Sequence, residues 1–206
     1  EKPENYEITL SDNEFILKTK SRKGFGFKIF SGKTPDFALR VPKHIELKEF
    51  KVRSISGDIE MDHINTENFL YKTTSGDFEV TNLNAKELVK LETVSGDFQV
   101  KGLNAKSLEI SLVSGDIELH KARVEGNIII NSVSGDSEFK DITCEQIAIR
   151  TVSGDFEGSE VYPDSIELKS VSGDVEINNS QHDKEIIVTS KKTISETIAG
   201  DTRFSD

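Results

Sequence analysis

The triplet Ser-Gly-Asp occurs seven times in this chain, with its glycine at Gly57, Gly76, Gly96, Gly115, Gly135, Gly154 and Gly173. The intervals are 19, 20, 19, 20, 19 and 19 residues, and a degenerate Ala199-Gly200-Asp201 follows 27 residues later. A period this regular is the signature of a solenoid, in which each repeat buries its apolar face only against its neighbours. It constrains the fold far more than it constrains the function.

Counting from each glycine, apolar residues fall into columns. Seven before it stand Phe50, Phe69, Val89, Leu108, Ile128, Ile147 and Ile166; five before it stand Val52, Tyr71, Leu91, Ile110, Ile130, Ile149 and Leu168. Two after it come Ile59, Phe78, Phe98, Ile117, Ser137, Phe156 and Val175, and four after it Met61, Val80, Val100, Leu119, Phe139, Gly158 and Ile177. At plus seven stand Ile64, Leu83, Leu103, Ala122, Ile142 and Val161. Within a repeat the spacing is two, the alternation of a strand, and no helical spacing occurs. The expected fold is all-β: a single parallel β-solenoid with coils of about 19–20 residues, at least two short strands per coil, and like residues stacked about 4.8 Å apart.

The columns before and after the glycine differ in parity, so the inward face switches between them and a corner must lie there. Two placements satisfy this. With the corner near position minus four, positions minus two, zero, plus two and plus four all point inward, and the glycine faces a tight core. Minus two is Ile55, Thr74, Val94, Val113, Val133, Val152 and Val171, which suits that placement, and it is preferred. Alternatively the glycine is itself the corner and takes a positive φ. In the first arrangement the Ser, the Asp and the acid two residues beyond it face outward.

The repeats occupy 50–177 of one domain spanning 1–206, with 1–49 as an N-terminal cap and lead-in and 178–206 as a C-terminal cap. Ile8 and Leu10, Phe15 and Leu17, and Ile186 to Val188 read as strands, and Thr202 and Phe204 fill the plus-two and plus-four positions of the degenerate copy. A polar terminal rung prevents exposed strand edges from pairing with other chains.

Two features stand out as candidate sites. The first is an acidic ladder: Asp58, Asp77, Asp97, Asp116, Asp136, Asp155 and Asp174, with Glu60, Glu79, Glu118, Glu138, Glu157 and Glu176 two residues on, and Gln99 in the remaining copy. Like charges at about 5 Å repel by roughly 1 kcal/mol or less each in water, so something must offset them. An aspartate capping its own turn is the ordinary explanation; cation binding is the weaker candidate, since neither a calcium β-roll nonapeptide nor an EF-hand loop is present. The second is the stretch 18–33. Lys18, Lys20, Arg22, Lys23, Lys28 and Lys33 are interleaved with Phe25, Phe27 and Phe30, without an acid. It reads either as a lysine-blunted hairpin covering the solenoid end or as a tip for an anionic polymer, lipid or peptide.

Removing that segment's +6 from the chain's −11 leaves −17 for the remainder, which disfavours a nucleic-acid partner or adsorption to an anionic membrane. Cys144 is the sole cysteine, so there is no disulfide framework, and it reads as a small filler. No apolar run is long enough to span a bilayer. The start at Glu1, without an initiator Met or a signal peptide, reads as a fragment of something longer. His44, His63, His120 and His182 form no metal or catalytic spacing. Some parallel β-helices are carbohydrate-active enzymes with paired carboxylates, but here the acids recur in every rung, whereas an active site should break the repeat.

The phrase Thr93-Val94-Ser95-Gly96-Asp97-Phe98, followed by Val100 and Leu103, resembles the repeat of a bacterial family described as adhesins with a β-strand repeat. The segment Phe37-Ala38-Leu39-Arg40-Val41-Pro42-Lys43 is similar to that family's lead-in. The resemblance covers about 35–206. It implies a β-solenoid at the cell surface or envelope, and likeness to the C-terminal part of envelope-stress proteins of the LiaX type, which are linked to antimicrobial-peptide responses. It implies no catalytic residue. Together these readings give a non-enzymatic binding module with no cofactor, whose partner is a protein, a cationic peptide or a cell-wall polymer. The alternatives are a structural adhesin or self-associating stalk and, third, a polysaccharide-active enzyme. Residue composition alone is equally compatible with the cytoplasm.

Overall fold

The computed structural model describes residues 47–179 and, outside them, four strands at 6–11, 14–19, 186–188 and 202–204. The described residues are strand and turn, with no helix. β1 (Tyr6–Ser11) and β2 (Glu14–Thr19) form an antiparallel hairpin, and β2 pairs in parallel with β3 (Leu47–Arg53), setting Phe15 beside Phe50 and Leu17 beside Val52.

From β3 to β12 every pairing is parallel and in phase with the repeat. β4 (Ile59–Lys72), β5 (Phe78–Ser95), β6 (Phe98–Ala105), β7 (Ser107–Ser114), β8 (Ile117–Val124), β9 (Asn127–Asn131), β10 (Ser137–Arg150), β11 (Phe156–Lys169) and β12 (Val175–Asn178) wind through about seven turns of a β-solenoid. Phe50 pairs with Phe69, Phe69 with Val89, Val89 with Leu108, Leu108 with Ile128, Ile128 with Ile147 and Ile147 with Ile166. The last two strands, β13 (Ile186–Val188) and β14 (Thr202–Phe204), pair in parallel with each other, Ile186 beside Thr202.

The five apolar columns are the core: the inner rungs at minus seven, minus five, plus two, plus four and plus seven are buried, and only the first rung's Val52, Ile59, Met61 and Ile64 are half-buried. Each fully buried Val, Leu, Ile or Phe among them contributes about 1.5–3 kcal/mol of transfer free energy. Neighbouring rungs exchange bulk. Ser137 and Phe139 share one rung, Phe156 and Gly158 the next, and the two rings meet edge to face at 5.2 Å. A Cβ on Gly158 would lie 3.3 Å from the Phe156 ring, so the small residue is the complement of the large one. A sixth column, at plus nine, was not apparent from alternation alone: Thr66, Ala85, Ala105, Val124 and Pro163 are buried, and Cys144 is half-buried among them, the filler its sequence context suggested.

Three corners close each coil. The first is the glycine, with φ between +116° and +141° at all seven positions. The second is at plus six, where His63, Asn82, Lys121, Asp141 and Glu160 sit at φ 55–60° and Gly102 at φ 75°. The third follows plus nine and absorbs the variation in repeat length. Thr66 pairs with Ala85 but Asn68 with Leu88, so the extra residue of the 20-residue repeat lies there. The second long repeat does the same around Gly126, whose N–H donates to Lys106 O at 2.9 Å.

The preferred corner near minus four is therefore wrong. The minus-two column points outward: Ile55 is 64% exposed, Val171 58%, and Val94, Val113, Val133 and Val152 about half, with Thr74 exposed as well. The inward residue is its predecessor at minus three. Six of these seven are Ser or Thr, and each hydroxyl donates to the carbonyl two residues on: Ser54 to Ser56, Thr73 to Ser75, Thr93 to Ser95, Ser132 to Ser134, Thr151 to Ser153 and Ser170 to Ser172, at 2.9–3.3 Å. That hydroxyl lets the chain turn towards the glycine with a polar side chain inside. The Val beside it is then forced out by the period of two. The glycine is a positive-φ corner and, from Gly76 onward, also a place with no room for a Cβ.

Candidate functional site

The Ser-Gly-Asp edge is the most ordered feature of the surface. Successive rungs are joined through it by backbone bonds: Ser75 N–H donates to Ile55 O, Ser95 to Thr74 O, Ser134 to Val113 O, Ser153 to Val133 O and Ser172 to Val152 O, all at 2.9–3.0 Å. On the other side, Phe78 N–H donates to Asp97 O, Phe98 to Asp116 O and Ile117 to Asp136 O, each at 2.9 Å.

The aspartate side chains belong to the same ladder. Asp58 Oδ1 accepts from Asp77 N–H, Asp77 from Asp97, Asp97 from Asp116, Asp116 from Asp136, Asp136 from Asp155 and Asp155 from Asp174, at 2.7–3.0 Å. Each carboxylate thus caps the backbone of the following rung, and not its own turn as its sequence neighbourhood implied. A charged acceptor on a backbone N–H forms a stronger bond than a neutral one, and this offsets the repulsion along the column. Every aspartate remains exposed. Among the described residues no three His, Cys, Asp or Glu side chains gather as a metal site, so the ladder is a row and not a cage.

The glutamates at plus three flank this row. Gln99 interrupts them: its Nε2 donates to Glu118, while Lys101 Nζ bridges Glu79 Oε1 at 3.2 Å and Gln99 Oε1 at 2.9 Å. On the strands before the glycine, cross-rung ion pairs absorb the charge, with Lys72–Glu92 at 2.6 Å and Lys90 at 3.3 Å from both Glu92 and Glu109. The two carboxylates hold Lys90 protonated above its ordinary range, and the Lys72 bond draws Glu92 below its own. None of the ion pairs among the described residues reaches the aspartate column. The edge therefore presents an apolar row and an acidic row, parallel and on either side of the stacked glycines. Alternation could not reveal the apolar row. The hydroxyls at minus three could have, since a Ser/Thr column has no place in a dry core without an acceptor.

A second surface lies between the plus-six and the third corners. It is an open trough of about 1020 Å³, continued by a second of about 460 Å³ that shares Asn104, Arg123 and Thr143. Its floor is the plus-eight column: Asn65, Asn84, Asn104, Arg123, Thr143 and Tyr162. Asn84 Nδ2 donates to Asn65 Oδ1 at 3.1 Å and Asn104 Nδ2 to Asn84 Oδ1 at 2.8 Å.

Of the basic aromatic stretch, Lys18 lies on β2, paired with Glu7. Lys20, Arg22, Lys23, Phe25, Phe27, Lys28, Phe30 and Lys33 lie outside the described residues, as does the lead-in 37–43. Among the described residues, no helix is long and apolar enough to cross a membrane.

Stacked rungs joined edge to edge by one repeated motif define the class: a parallel β-solenoid repeat protein whose ladders offer linear surfaces. The chain belongs to the Toastrack DUF4097 family, whose model matches residues 2–132 and 125–201. The family name describes a domain of unknown function and specifies no reaction. No curated protein and no solved structure matches the chain.

Proposed function

We propose that this chain is a non-catalytic binding module of the bacterial cell envelope, part of an envelope-stress or antimicrobial-peptide response, and that its Ser-Gly-Asp edge receives a cationic amphipathic peptide. The observation that carries this reading is the exposed aliphatic column running beside the aspartate column. Isolated exposed apolar residues are ordinary; a row of six aliphatic side chains and one threonine, lined along one side by carboxylates, is a recognition feature. From Ile55 to Val171 the row spans six rung steps, about 29 Å at about 4.8 Å each. An α-helix repeats its apolar face every 5.4 Å or so, and about 19 residues cover that length. Such a helix sets its apolar stripe on the valines and its lysines against the aspartates, which also steer its approach.

The test uses a synthetic Leu/Lys amphipathic helix of about 20 residues and measures its Kd by fluorescence anisotropy from about 50 to about 500 mM salt. Affinity falls as salt rises, and a variant with Asp97, Asp116 and Asp136 changed to Asn binds more weakly with a shallower salt dependence. Equal binding by the variant and the parent refutes the reading. The same apolar row favours a second reading, a self-associating stalk. Sedimentation velocity decides between them: concentration-dependent growth of the particle without peptide supports the stalk.

A further inference from the structure

The geometry points to a second binding site, independent of the Ser-Gly-Asp edge: the trough over the third side takes a neutral glycan chain laid along the solenoid axis. The trough crosses the rungs of Asn65 through Tyr162, five steps or about 24 Å, and the four residue steps from plus six to plus ten make it about 13 Å wide. It is broad, shallow and open at the surface, the form suited to a row of flat rings and not to a single compact substrate. Strands run across it, so a polypeptide lying along the axis meets no free strand edge with which to pair.

The floor supplies matching chemistry. A side-chain amide has two donor hydrogens and two acceptor lone pairs. Asn84 gives one hydrogen to Asn65 and accepts one from Asn104, which leaves one donor and one acceptor for a ligand. The neighbouring amides fix its orientation in advance, so little side-chain entropy is lost on binding. Hydroxyl groups, each both donor and acceptor, are the complement of such a row, and Arg123 and Thr143 extend it by two further rungs. The charge is also distinctive. Lys86, Lys121 and Arg123 stand among five carboxylates, so the lining is mixed, and neither a polyanion nor a polycation is favoured.

The test titrates neutral hexasaccharides, the β-1,4-linked N-acetylglucosamine hexamer and cellohexaose, into the full chain, reading Kd by calorimetry and the contact surface by NMR amide shifts. Hyaluronan and an unstructured neutral peptide are run in parallel. At least one neutral hexasaccharide binds and shifts the amides of Asn84, Asn104, Arg123 and Thr143. Loss of one hydrogen bond in Asn104→Ala raises Kd about tenfold. Arg123→Ala, which leaves the asparagine ladder intact, does the same. Val113→Ser/Val133→Ser on the glycine edge leaves Kd unchanged. No binding of either hexasaccharide at millimolar concentration, shifts confined to another face, tighter binding of hyaluronan or the peptide, or unchanged Kd in Arg123→Ala overturns the assignment.

Discussion

The carbonyl oxygen of Gly115 lies 1.9 Å from the point where a Cβ on Gly135 would stand. The same relation recurs from Gly76 to Gly173, each built Cβ falling 1.9–2.4 Å from the preceding glycine's oxygen, whereas Gly57, first in the stack, has nothing within 4 Å. Steric exclusion and backbone strain are thereby separable. Gly57→Ala incurs only the positive-φ penalty and loses about 1–2 kcal/mol. Gly135→Ala loses clearly more, since the rungs must also part. Urea denaturation of both variants measures the difference; equal losses contradict the close stacking of glycines.

The aspartate ladder makes a different demand. Asp116→Asn keeps an acceptor for the Asp136 N–H and relieves repulsion from Asp97 and Asp136, so stability stays within about 0.5 kcal/mol of the parent. Asp116→Ala leaves that N–H to solvent and loses about 1 kcal/mol, as an exposed capping residue does. If the two variants unfold at the same urea concentration, the carboxylate is not a structural acceptor.

Thr93 and Tyr71 test the interior from opposite sides. The Thr93 hydroxyl donates to Ser95 O at 3.0 Å, and Thr93→Val, which conserves shape, costs about 1 kcal/mol. The Tyr71 hydroxyl, 1% exposed as a residue, has no hydrogen-bond partner of standard geometry; Thr73 beside it donates to Ser75 O instead. Tyr71→Phe removes an unsatisfied buried polar group and raises stability by about 1 kcal/mol, read by chemical denaturation. A loss in that variant contradicts the placement of the ring.

Burial also pushes the Tyr71 phenol up to about 12 from 10.0. Its ionised form is disfavoured in the fold, so this contribution is complete below pH 10 and is lost as pH rises towards 12, by about 1.4 kcal/mol per unit. Between those limits the parent's stability falls more steeply with pH than that of Tyr71→Phe. Parallel stability–pH curves contradict it.

Much of the fold was legible because rungs repeat. Phe69, Val89 and Leu108 share a column by sequence phase, and phase alone fixes parallel, in-register stacking. The sign of the corner was not legible, because Val94 and Val100 are equally apolar and parity admits two placements of the turn. Thr93 decides the matter, through a hydrogen bond two residues long that no hydropathy pattern records. The plus-six corner was hidden for a related reason: Lys121, Asp141 and Glu160 are not residues that announce left-handed backbone, so only Asn82 and Gly102 hinted at it. The trough was hidden in turn, since its floor depends on where the chain bends, although the asparagines at 65, 84 and 104 already repeat in phase.

The central claim is that the outward valines, flanked by the aspartates, form the surface that meets the partner. The most direct measurement is the affinity of the Leu/Lys helix for a variant with Val113, Val133 and Val152 changed to Ser. Since these side chains are about half exposed, the variant keeps its fold and most of its stability, and the account predicts a Kd weakened by about tenfold or more. An unchanged Kd in the folded variant contradicts it.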